Sequence, residues 1–309
     1  MSSIGYCPIY HILITMTYNE AYTYAGKILS IVLPGDIKDE LKICFEEYLK
    51  IPIWKITTYP NRRLSPDEES KLLDYVARRA RREPWQYIVG KAYFMGLEFQ
   101  VDKTAFIPRP ETEDLVTYTY IMVRKFNLKS IWDVGTGCGV IAIVLKRMLP
   151  NVAVYASDII SLRLARHNAS NIGVKVHFKR GNLLDAFAEL KVDIIVSNPP
   201  YIPSTRYWDL PPEVLYEPRT SYDGGTDGLE VIKQLIPQTL SHLTSYGVLL
   251  IELDPSQVDK VLKLAHQYYP HARILKDTFD KPRFLVTSNR DITVYPWETL
   301  RDRFMVGLP

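Results

Sequence analysis

From Glu111 onward, short apolar runs alternate with amphipathic stretches, and this rhythm restricts the possible folds more than any other feature of the chain. The runs fall at 130–134, 152–158, 174–179, 192–197, 246–253, 272–277 and 283–288, and most of them are separated by segments of helix length. Strands that alternate with helices pair in parallel, because a crossover helix brings the chain back to start the next strand from the same end. The last two runs are joined only by residues 278–282, too few for a crossover, so they pair antiparallel. The expectation is an α/β fold, a seven-stranded doubly wound sheet with an antiparallel last strand. Ligands of such sheets sit beyond the carboxyl ends of the strands.

Upstream, three helical patterns recur over Glu20 to Leu33, Asp36 to Lys50 and Ser65 to Arg82. The third opens with a capping box, Ser65 and Glu68, and has Pro66 at its first helical position. Between Lys91 and Ile107 the residues Tyr93, Phe94, Leu97, Phe99 and Val101 around Gly96 read as a hairpin. The expected organisation is a small helical domain over 1–90, a β-hairpin linker over 91–110 and the sheet domain over 111–309.

Two segments at expected strand ends carry chemistry. Asp133-Val134-Gly135-Thr136-Gly137-Cys138-Gly139 is a glycine turn leading into a helix near Val140, where glycines admit a ligand close to the backbone and the helix start offers free N–H groups. Val140 stands where a dinucleotide fingerprint has its third glycine, which argues against NAD. Asp158 closes the next strand at the distance where an acidic residue meets ribose hydroxyls, or it caps the following helix, a task for which Ser161 is better placed. The second segment is Asn198-Pro199-Pro200-Tyr201. A conjugated NH2 nitrogen is a poor nucleophile, and a site that alkylates it must grip its protons. The Asn198 side-chain carbonyl and the proline carbonyls, which have no N–H of their own to compete, are suited to that grip, and Tyr201 adds a flat wall. The plain alternative is a Pro-Pro turn ending a strand.

Together with Arg82-Glu83-Pro84-Trp85-Gln86-Tyr87-Ile88-Val89-Gly90, Ile107-Pro108-Arg109-Pro110-Glu111-Thr112-Glu113, Glu217-Pro218 and Gly224-Gly225-Thr226-Asp227-Gly228-Leu229, these segments make six blocks in order. In them the chain resembles the release-factor glutamine N5-methyltransferases, the HemK-like enzymes, from about Arg82 to Asn289. The resemblance implies a class I methyltransferase fold preceded by a helical substrate-recognition domain, with S-adenosylmethionine as cofactor. It implies that Gly135, Thr136, Gly137, Cys138 and Gly139 wrap the methionine part, Asp158 the ribose, and Asn182 and Leu183 the adenine, with Asp133 and Asn198 also binding the cofactor. The implied acceptor is the glutamine of the Gly-Gly-Gln loop of a class I peptide chain release factor, held by Asn198, Pro199, Pro200 and Tyr201. Arg109, Glu111 and Thr112 either line the acceptor pocket or belong to a stiff linker whose acidic residues favour the next helix start. Glu217 and Asp227 are expected to order a loop beside the site.

The chain departs from the family at Asn182, usually an aspartate, and at Ile251-Glu252-Leu253-Asp254-Pro255, where Leu-Glu-Ile-Gly is common. Its tail from Arg290 extends past the expected end and is expected to pack a further helix through Trp297, Leu300 and Phe304.

A net charge of +3 does not suggest nucleic-acid binding, and Cys7, Cys44 and Cys138 are too scattered for a disulfide framework or a metal site. No apolar stretch is long enough to span a bilayer. The run Arg78-Arg79-Ala80-Arg81-Arg82 reads as solvated cations at a helix C-terminus rather than a docking patch. Expected, then, are a monomer, no direct nucleic-acid partner, no membrane and no metal. The first nineteen residues are free of acid and rich in Ser, Thr and Tyr, but also lack Arg and Lys. They suit a mitochondrial presequence only in part; the departures from the family pattern set the expectation of a mitochondrial setting, with a cytoplasmic one as the alternative. Two other functions compete: an adenine-N6 methyltransferase on DNA or RNA, which would flip its base out, and a methyltransferase fold kept as a non-catalytic binding module.

Overall fold

The computed structural model describes residues 15–306. Within them the chain forms two compact units that meet in sequence between Val89 and Gly90.

The first unit is helical: α1 (Tyr18–Val32), α2 (Ile37–Lys42), α3 (Ile53–Thr58), α4 (Pro66–Ala80) and α5 (Trp85–Val89). Helix α2 runs on without a break into a π-helical turn, Ile43–Tyr48. The capping box of α4 is present, with the Ser65 hydroxyl accepting from the Glu68 N–H and the Glu68 carboxylate accepting from the Ser65 N–H. Tyr18, Leu29, Phe45, Leu72 and Tyr75 form the centre of this unit's core. The arginine run departs from the solvated reading. Arg78 donates twice to Glu83, at 3.0 and 2.9 Å, and Arg79 is buried against Glu40 at 3.1 Å. Arg82 donates to the Val32 carbonyl at 3.0 Å, so three of these cations hold helix ends together instead of facing water.

The second unit opens with a hairpin, β1 (Lys91–Phe94) and β2 (Leu97–Gln100), turned at Met95 and Gly96 with φ of 49° and 72°. That pair of left-handed residues matches the twist of the strands. The hairpin belongs to the unit that carries the sheet rather than forming a separate linker. After α6 (Glu111–Phe126) the alternation proceeds as β3 (Ser130–Val134), α7 (Val140–Met148), β4 (Ala153–Asp158), α8 (Arg163–Ile172), β5 (His177–Arg180) and β6 (Val192–Ser197). It ends with α9 (Glu230–His242), β7 (Leu243–Glu252), α10 (Val258–Ala265), β8 (His271–Lys276), β9 (Pro282–Ser288) and α11 (Trp297–Val306).

The strand order is β5-β4-β3-β6-β7-β9-β8, parallel except for β9, which runs antiparallel to both its neighbours. Trp132, Ile195, Leu249, Ile251 and Leu285 pack one sheet face against Ile232, Leu235 and Ile236 of α9. Helix α11 docks through Trp297, fully buried with its indole N–H donating to Ile292 O at 2.8 Å, and through Phe304, whose ring centroid lies 4.8 Å from that of Tyr120. Leu300 is only partly buried. The order reverses at β3, whose chain-order successors lie first on one side and then on the other. The crevice beyond its carboxyl end is where such folds bind ligands.

Candidate active site

At the end of β3 the backbone passes through Gly135, Gly137 and Gly139 with φ of 75°, 56° and 93°, a left-handed path that other residues adopt only under strain. The turn is tied down from beneath. Asp133 Oδ2 accepts from the Thr136 hydroxyl at 2.6 Å and from the Ala142 N–H at 3.2 Å, joining the turn to the first residues of α7. Its other oxygen is buried without a partner, and burial pushes the carboxyl up to about 7. Asp133 is therefore under the turn and not on the cavity wall. From β4, Asp158 accepts from Gly137 N–H at 2.8 Å and Ile160 N–H at 2.9 Å, which fixes its carboxylate against the same turn. Cys138 is buried, and burial pushes its thiol up to about 12, so it is no nucleophile.

These segments wall a cavity of about 380 Å³ lined by the turn from Gly135 to Cys138, by Asp158, Asn182 and Leu183, and by Asn198 to Tyr201. Thr112 lines it too, whereas Arg109 and Glu111 are not among its lining residues. Arg109 pairs with the buried Glu217 and covers the Phe106 ring at 4.4 Å, while Glu111 faces Arg283 at 3.9 Å. Glu217 also accepts from the Ile107 N–H at 3.4 Å, and burial pushes its carboxyl up despite the Arg109 cation. Asp227 accepts from Lys233 at 2.6 Å and from the Leu229 N–H at 3.1 Å. Both carboxylates thus brace the loop between Glu217 and Leu229.

Asn198 follows β6 directly, and the preceding Ser197 hydroxyl donates to Val134 O at 2.7 Å, locking the ends of β6 and β3 together. The Asn198 amide donates to Thr112 Oγ1 at 3.1 Å, and the Thr112 hydroxyl donates to Glu252 Oε2 at 2.9 Å. The other Glu252 oxygen receives the Tyr201 hydroxyl at 3.4 Å. Glu252 ends β7, is 1% exposed, and burial pushes it up to about 7. Sequence reasoning gave this residue no role; the signal was an acid closing an otherwise apolar run. Of the neighbouring carbonyls, that of Tyr201 is taken by Gln257 at 2.8 Å, and that of Pro200 lies against Gly224, 2.8 Å from where an added Cβ would stand.

The chemistry of this cavity suits S-adenosylmethionine. A Cβ added at Gly135 or Gly137 would meet no atom within 4 Å, so the backbone there is open to a ligand, and Asp158 lies at one wall with apolar side chains such as Ile159 and Leu183 beside it. A seven-stranded sheet of this order with a glycine turn at its reversal point defines a class I methyltransferase that uses S-adenosylmethionine.

Comparison with known proteins carries this further. Residues 117–207 match the Methyltransferase small domain family and residues 20–90 the PrmC N-terminal domain. The release factor glutamine methyltransferase of Geobacter sulfurreducens is 39% identical over 202 residues, 64% of this chain and 70% of that protein. That of Streptococcus pneumoniae is 31% identical over 265 residues, 84% of this chain and 94% of that protein. The chain belongs to the release factor glutamine methyltransferase family. Among solved structures, the hMettl16 catalytic domain in complex with MAT2A 3′UTR hairpin 6 has a TM-score of 0.51 at 16% identity, covering 85% of this chain and 96% of that one, which is a likeness of fold alone. Among the described residues no helix is long and apolar enough to cross a membrane, and no cluster of acids, histidines and cysteines is arranged to hold a metal.

Proposed function

We propose that this chain transfers a methyl group to the side-chain amide nitrogen of a glutamine in a peptide chain release factor, within its Gly-Gly-Gln loop. The observation that carries this reading is the position of Asn198, on the wall of the cavity at the end of β6 with its amide nitrogen already bonded to Thr112. That bond leaves Asn198 Oδ1 to accept a proton of the incoming amide. The Pro199 carbonyl is a second acceptor one residue on, and two acceptors fix both amine protons and so the direction of the nitrogen lone pair. Tyr201, anchored through its hydroxyl, limits how the planar amide slides. S-adenosylmethionine supplies the methyl group on a sulfonium whose leaving group is a neutral thioether, so correct placement accounts for much of the rate. On this reading Gly135, Thr136, Gly137 and Cys138 hold the methionine part, Asp158 the ribose, and Asn182 and Leu183 the adenine. Asp133 serves from beneath by shaping the turn.

The expected result is that purified protein, S-adenosylmethionine and a release factor give a peptide heavier by one methyl at the loop glutamine. Changing that glutamine to alanine, or Asn198→Ala in the enzyme, abolishes the product while calorimetry still registers cofactor binding. Methyl on another residue, or on a nucleic acid instead, would sink the assignment. The adenine-N6 alternative is not favoured, since the relatives named above are release factor enzymes. A monomer acting on one factor at a time fits this scheme, and light scattering measures it. The mitochondrial setting rests on the departures from the family pattern and, only in part, on the composition of the first nineteen residues. Residues 1–14 lie outside the described ones, and the relatives named above, which are bacterial, lend it no support.

A further inference from the structure

We propose that Glu252 is a positioning residue that sets, through Thr112, which way the Asn198 carboxamide faces. The inference rests on the glutamine-methylation reading, which needs Asn198 Oδ1 turned towards the acceptor.

A carboxamide can be turned over by half a rotation with little change in shape, so packing alone orients it poorly; hydrogen bonds decide. The Thr112 hydroxyl has one proton, and a carboxylate can only accept. At 2.9 Å from Glu252 Oε2 that proton is committed to Glu252, which leaves Thr112 Oγ1 only lone pairs to offer. Asn198 Nδ2, 3.1 Å away, is the matching donor. With the amide turned over, Asn198 Oδ1 and Thr112 Oγ1 would be two acceptors facing each other. Thr112 is 2% exposed and Glu252 1%, so little water reaches the Thr112 side to repair the mismatch. The second Glu252 oxygen holds the Tyr201 hydroxyl at 3.4 Å, which ties both ends of the Asn198 to Tyr201 segment to one carboxylate.

The groups that face Glu252 are Thr112 and Glu111 from α6, Tyr201 after β6 and Arg283 from β9. Burial and Glu111 favour the protonated acid, the Thr112 and Tyr201 hydrogen bonds and Arg283 the carboxylate, and the balance stands at about 7. Protonated Glu252 would reverse the chain of bonds: it would donate to Thr112, Thr112 would donate to Asn198, and the amide would turn Oδ1 away from the acceptor. Orientation of Asn198 is thereby coupled to the ionisation of a residue that touches no substrate.

The test has two readouts on the full chain bound to S-adenosylmethionine. The first is the side-chain amide of Asn198 in a ¹⁵N-correlated spectrum, assigned by its loss in Asn198→Asp. At about pH 8 the parent should give a pair of slowly exchanging protons. Thr112→Val should lose them, Thr112→Ser keep them, and the parent signal should change as pH falls through about 7 while Glu252→Gln stays insensitive. The second is methyl transfer to a release factor. Thr112→Val and Glu252→Gln should lower kcat roughly ten- to a hundred-fold with KM little changed, and Thr112→Ser should recover most of the rate. Melting curves verify folding, and should Glu252→Gln not fold, the two Thr112 variants decide. A Thr112→Val enzyme as fast as the parent, or one whose Asn198 amide still matches the parent's, overturns the proposal. A parent with the expected amide behaviour that methylates no release factor overturns the choice of acceptor instead and leaves the orientation mechanism standing.

Discussion

Two glycines of the cofactor turn separate folding from binding. Gly135 has φ of 75° and open space where a Cβ would go, so Gly135→Ala should cost only about 1–2 kcal/mol of backbone strain. Its new methyl projects into ligand space, so calorimetry should register a much weaker S-adenosylmethionine affinity in a protein that still melts cooperatively. Gly139 is different: with φ of 93° and a Cβ that would stand 2.7 Å from Ile143 Cδ1 and 3.2 Å from Ala165, Gly139→Ala should cost about 2–4 kcal/mol and lower the melting temperature first. Equal melting temperatures for the two variants would contradict this division. The glycines and Asn198-Pro199-Pro200-Tyr201 were legible because each is a local word in the sequence, read at a strand end. Glu252 was not, since its partner Thr112 is 140 residues away and no local pattern announces the contact. The same holds for the Arg79 and Glu40 pair, separated by 39 residues, which made a buried arginine look like a solvated one.

At the level of elements, period-2 and buried apolar runs gave every strand of the sheet, with β7 starting at Leu243 rather than 246 and β5 at His177 rather than 174. Short helices were harder. Helix α3 has six residues and α5 five, too short for periodicity to mark, and both depend on the core around Phe45 and Tyr75 for their stability. The π-helical turn after α2 was likewise hidden, because its composition is that of an ordinary helix. The tail helix was legible through its aromatics. Trp297 is fully buried with its N–H satisfied and its ring 5.8 Å from Phe126, so Trp297→Ala should cost about 3–5 kcal/mol in chemical denaturation. A loss under 1 kcal/mol would mean that α11 is an ornament on the sheet rather than part of it.

For the molecule as a whole, two buried carboxyls link stability to pH. Asp133 and Glu252 are both held up at about 7 by burial. Between the ordinary carboxylate range and that value the folded chain keeps two protons that the unfolded chain releases. Their contribution to stability therefore falls as pH rises through this window and levels off above about 7. Asp102, Asp223 and Asp277, which are held down by their hydrogen bonds and arginine partners, contribute the opposite slope only below the ordinary carboxylate range, so they do not oppose this window. The clean observable is a difference: the combined Asp133→Asn and Glu252→Gln protein should gain stability relative to the parent as pH is raised from about 5 to about 7. An unchanged difference across that range would remove these two groups from the balance.

The stitching of the site across the chain also dictates when it can exist. Asn198 and Thr112 are 86 residues apart, Thr112 and Glu252 140, and Ile107 and Glu217 110. Contacts that close such long loops form late, after the entropy of bringing distant segments together has been overcome. A refolding chain will thus regain its helical signal well before it regains methyl transfer, and a chain still emerging from the ribosome with β7 unmade has every residue of the Asn198 motif and no working site. Activity in this protein is a late property of the fold, acquired only once β7 has docked.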